Sequence, residues 1–136
     1  MALDAGYIQY QATLDLTGAN SVSLGEANCP QDIFEIGVEL VTASGADTLA
    51  VQFREQSPPT GSAGGTQIGV VTGPAATIVA AGKCVKKNVN YRAPKGARIW
   101  ATVTDATTGA TNARVYVKAY PAGESAAESV DIASTT

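Results

Sequence analysis

Apolar residues recur at every second position in one short run after another, and no helical spacing holds for ten residues or more. A period of two puts alternate side chains on opposite faces of an extended strand, so each run marks a strand with one buried face. Residues 6–16 place Ile8, Tyr10, Ala12, Leu14 and Leu16 on one side. Residues 32–42 gather Phe34, Ile36, Val38 and Leu40, with Glu35, Gly37 and Glu39 opposite, and residues 48–55 answer with Leu49, Val51 and Phe53. The intervening turn at 44–47 predicts a hairpin between those two strands.

Residues 97–104 and 113–120 alternate most clearly. Ala97, Ile99, Ala101 and Val103 form one inward row and Ala113, Val115, Val117 and Ala119 another. The break between them ends in Thr108-Gly109-Ala110-Thr111-Asn112, which favours a loop joining two antiparallel partners. Shorter runs at 21–24, 67–72 and 83–89 read as further strands, and 75–81 as a strand or an irregular crossing. Turns are expected at 18–20, 25–31 and 91–96. Residues 56–66, with Pro58-Pro59, Gly61 and Gly64-Gly65, read as an exposed loop. About eight short strands define an all-β chain, an antiparallel β-sandwich of jelly-roll or Ig-like topology, and the sequence leaves both topologies open.

A length of 136 residues fits one domain, large enough to bury its own core. Residues 1–120 form that sandwich with a short N-terminal arm. Residues 121–136 are an Ala/Ser/Glu-rich extended tail, in which only Val130 and Ile132 are sizeable and apolar. No apolar stretch is long enough to span a membrane and no basic start precedes an apolar leader, so a soluble product of the host cytoplasm is expected, with no membrane partner.

Charge is unevenly spread. Residues 1–55 hold eight acids against Arg54, residues 83–118 hold eight cations against Asp105, and the tail adds Glu124, Glu128 and Asp131. Either the acidic and basic strands interleave and neutralise each other, or the surface is polarised for self-association or an acidic partner. The net charge of −3 speaks against direct nucleic-acid binding.

No catalytic constellation stands out, so a non-enzymatic protein without metal or cofactor is expected. There is no histidine to act as a base near neutral pH or to complete a zinc set with Cys29 and Cys84. Those cysteines read as reduced thiols in preference to a disulfide. Glu35 and Glu39 share a strand face, as a glycosidase pair would, but spaced acids are common on strands. Asp105 lacks companion carboxylates for calcium, and the Gly-rich loop at 56–66 fits no phosphate motif. Cys84 beside Lys83 and Lys86 reads as a structural thiol. The candidate interface is the outer row of the last two strands: Arg98, Trp100, Arg114, Tyr116, Lys118 and Tyr120. If those strands pair, the aromatics share one face. That face is buried, or lies under the tail, or contacts a protein, or stacks on a sugar.

From about Leu49 onward the order of motifs resembles the small head-decoration (cement, or auxiliary capsid) proteins of tailed phages. The resemblance covers roughly residues 48–122. It rests on Pro58-Pro59-Thr60-Gly61, on Gln67-Ile68-Gly69-Val70-Val71-Thr72-Gly73-Pro74-Ala75 and on Gly82-Lys83-Cys84-Val85-Lys86-Lys87. Pro94-Lys95-Gly96 leading to Val103-Thr104, and a final strand from Tyr116 to Pro121, complete it. Where family members often carry acids after the Pro-x-Gly turn, this chain has Arg98 and Trp100. The resemblance implies a virion protein on the capsid exterior, assembling as a homotrimer and bracing junctions between major capsid subunits. Rival expectations are a carbohydrate- or receptor-binding module of a virion fibre, and a shell-forming coat protein.

Overall fold

Each strand has one row too apolar to face water, and two sheets stacked on those rows remove them all from solvent at once. The computed structural model describes residues 6–41, 48–73, 82–107 and 112–122. Eight strands run β1 (Ile8–Leu14), β2 (Ser21–Glu26), β3 (Gln31–Leu40), β4 (Leu49–Gln56), β5 (Thr66–Gly73), β6 (Cys84–Ala93), β7 (Arg98–Asp105) and β8 (Ala113–Pro121). They form two antiparallel four-stranded sheets, β1-β8-β3-β6 and β2-β7-β4-β5. Among consecutive strands, only β4 and β5 are neighbours in one sheet. This order is that of a jelly roll and decides between the two expected topologies.

Both expected hairpins are corrected by it. β3 and β4 lie in different sheets, as do β7 and β8. Alternation specifies which face of a strand is buried and leaves its partner unspecified. An inward row is equally well covered by a neighbour in its own sheet or by a strand across the core. Here Ile36, Val38 and Leu40 belong to one sheet and Leu49, Val51 and Phe53 to the other, and all six are buried in one shared core. The connecting residues 42–47 and 108–111, the segment 75–81, and the tail from residue 123 lie outside the described residues. β6 runs on to Ala93, so the expected turn at 91–96 shrinks to its Pro94–Gly96 end. β8 includes Pro121, and the Ala122 amide donates to the Pro30 carbonyl at 2.7 Å, so the sandwich extends slightly past residue 120.

The inward rows of β7 and β8 are buried as expected. Phe34 is a second correction. Register shifts between Ile33 and Glu35, where one extra residue on β3 faces β8. Such a bulge resets the inside/outside parity of a strand. Ile33 and Ile36 therefore both point into the core, and Phe34 turns outward.

Candidate functional site

The outer face of sheet β1-β8-β3-β6 gathers most of the predicted residues. β3 lies at its centre with acids at Asp32, Glu35 and Glu39, flanked by β8 and β6 with cations. Arg92 meets Asp32 at 2.5 Å, Arg114 meets Glu39 at 2.6 Å, and Lys118 Nζ lies 3.6 Å from Glu35 Oε2. On the other sheet Arg98 pairs with Glu26. Four of the eight cations of residues 83–118 thus pair with acids of residues 1–55, which is the neutralising alternative in part; Lys83, Lys86, Lys87 and Lys95 have no acidic partner among the described residues. Glu35 and Glu39 are each tied to a β8 cation.

Beneath these pairs lies a polar cluster. The Tyr116 ring lies over Gly37, and its hydroxyl donates to Glu35 Oε2 at 2.7 Å and sits 3.6 Å from Cys84 Sγ. Tyr116 and Glu35 are both buried. Burial, reinforced by the bond to Glu35, pushes the phenol well above its ordinary value, so Tyr116 stays protonated. Cys84 faces Glu39 near one end of β3, whereas Cys29 precedes Gln31 at the other, and both are free thiols. Three or more potential metal ligands do not cluster anywhere among the described residues.

At the Gln31 end of this face the bulge creates an aromatic patch. Phe34 stacks on Tyr120 with centroids 4.6 Å apart, and Tyr7 meets Phe34 edge-on at 5.8 Å. Lys118 Nζ lies 5.1 Å from the Tyr7 ring and 5.5 Å from that of Tyr116. Tyr7 and Tyr120 are 49% and 50% exposed, so the patch presents aromatic surface to solvent while Phe34 holds it together. Tyr120 and Lys118 were legible in the sequence. Tyr7 falls opposite the Ile8–Leu16 row and is not singled out by the pattern, which places Phe34 in the core.

Trp100 does not join them. It lies on the outer face of the opposite sheet and is only 9% exposed. Its indole N–H donates to Gln56 Oε1 at 3.1 Å. The Gln56 amide also accepts from the Thr60 N–H and donates to the Ser62 carbonyl, while Arg98 donates to the Thr60 carbonyl. These bonds fold the β4–β5 loop back over its own sheet. Arg98 and Trp100 are therefore anchors for that loop, and a single platform of Trp100, Tyr116 and Tyr120 is not assembled. The chain matches no protein-family model and no curated protein at a significant level.

Proposed function

We propose that this jelly-roll protein is a non-enzymatic structural component of a virion, binding the outside of a phage capsid as a homo-oligomer and bracing contacts between major capsid subunits. The observation that carries this reading is the half-exposed Tyr7–Phe34–Tyr120 patch beside Lys118, mounted on a rigid sheet. Exposed aromatics next to a cation are typical interface anchors. The jelly roll is also an architecture shared by capsid proteins and lectins. Many copies on a lattice let modest contacts add up, and binding the assembled shell in preference to its parts stabilises it.

A carbohydrate-binding module is the second reading, favoured by the solvent-facing rings of Tyr7 and Tyr120. Co-sedimentation of the purified chain with undecorated heads of its phage, with light scattering for the free mass, tests the proposal. Saturable binding by a discrete oligomer is expected. A monomer that leaves heads in the pellet unaccompanied, yet is retained by a glycan array, contradicts it and favours the second reading.

A further inference from the structure

The sheet β1-β8-β3-β6 ends on β6, whose far edge has no neighbouring strand among the described residues. An open edge presents unpaired backbone donors and acceptors and templates the addition of another strand. Between β6 and β5 lies a groove of about 230 Å³ lined by Val70, Val71, Thr72, Val85, Lys86 and Lys87. Val85 and Val89 of β6 are only partly buried against the core. Lys83, Lys86 and Lys87 are exposed on this flank. None of the three has an acidic partner among the described residues, in contrast to Arg92, Arg98, Arg114 and Lys118.

We propose that the chain's own C-terminal segment, residues 123–136, docks along β6 as an added antiparallel strand. Its point of departure fits, because Pro121 and Ala93 both face Gln31 across β3, so the segment leaves at the Ala93 end of β6. Its length fits as well. Passing from the line of β8 to beyond β6 takes three strand spacings, about 14 Å, which about five extended residues cover. Residues 128–136 then reach about 30 Å, enough to follow the ten residues of β6. Composition agrees. Val130 and Ile132 fall on one face of a strand and would cover the half-buried Val70 and Val85 of this mixed groove, while Glu124, Glu128 and Asp131 bring negative charge to the lysines. The result is strand addition with the donor supplied by the same chain.

Amide hydrogen exchange on the full-length protein tests this, comparing wild type with a Val130→Ser/Ile132→Ser double variant and a Lys86→Glu/Lys87→Glu variant. In wild type, β6 and residues 128–136 are expected to be protected, equally at low and high protein concentration. Both variants are expected to lose that protection while β1, the opposite edge, is unchanged. The serine variant alters residues outside the described core, and retained β1 protection verifies that it folds. Three results would overturn the proposal. The first is free-peptide exchange of residues 123–136 in wild type. The second is β6 protection indifferent to the serine variant. The third is protection that appears only at high concentration, which places the segment on a neighbouring copy.

Discussion

A Cβ added at Gly37 would sit 2.3 Å from the Tyr116 ring, so glycine is what lets that ring lie across β3 and reach Glu35. Gly37→Ala is expected to lift the ring, break the bond and cost about 1–3 kcal/mol in denaturant unfolding. Tyr116→Phe keeps the packing and removes only the donor, leaving buried Glu35 short of a partner at about 1–3 kcal/mol. Tyr91 gives a pH signature. Burial, then its 2.5 Å hydrogen bond to Glu55, push its pKa up to about 12. A raised phenol pKa means that the fold favours the protonated form. The unfolded chain releases its proton near pH 10, so this stability is fully present below that pH and is lost as pH rises through about 12. Thermal unfolding from pH 9 to 12 is expected to show a steeper fall in Tm for wild type than for Tyr91→Phe.

At the scale of elements, the β4–β5 loop is fastened from within. Trp100, Gln56 and Arg98 hold it, and Gly65, at φ +108°, closes it where a Cβ would meet the Glu55 carbonyl oxygen at 2.2 Å. Trp100→Ala is expected to destabilise the fold by at least about 3 kcal/mol. Gln56→Ala is expected to raise exchange across residues 57–65 and red-shift Trp100 emission. Glycans are expected to leave that emission unchanged, because the indole is covered. The strands themselves were legible because one-sided burial writes itself as alternation, and the inward rows of β1, β4, β7 and β8 fell where the pattern put them. Partner choice was not legible. The rows of β3 and β4 satisfy a hairpin and a cross-core contact equally, so both expected hairpins failed. The bulge at Phe34 was hidden for a related reason. Alternation is unbroken only over residues 34–40; the adjacent apolar pair Ile33-Phe34 is the bulge's one trace in the sequence, and the extra residue itself shows only as a shift against β8. The aromatic patch is hidden with it: of its three rings the sequence singles out only Tyr120, together with the adjacent Lys118.

For the whole molecule, interleaving acidic and basic strands leaves ion pairs that, at exposed sites, contribute only about 0–1 kcal/mol each. Stability therefore rests on the shared apolar core, with the exposed ion pairs a minor addition at the sheet surfaces. Among the described residues that arrangement leaves two surfaces uncovered: the lysine-bearing edge of β6, to which the C-terminal segment is assigned, and the aromatic patch near Tyr120. The central claim is that the patch docks on an assembled capsid. The most direct measurement compares wild type with a Tyr7→Ala/Tyr120→Ala variant in saturation binding to undecorated heads, with circular dichroism to verify folding. Half-exposed rings contribute little to the core, so the variant is expected to fold normally and to lose most of its affinity, by at least about tenfold if each ring contributes about 1 kcal/mol or more. A folded variant that binds heads as tightly as wild type would contradict the account.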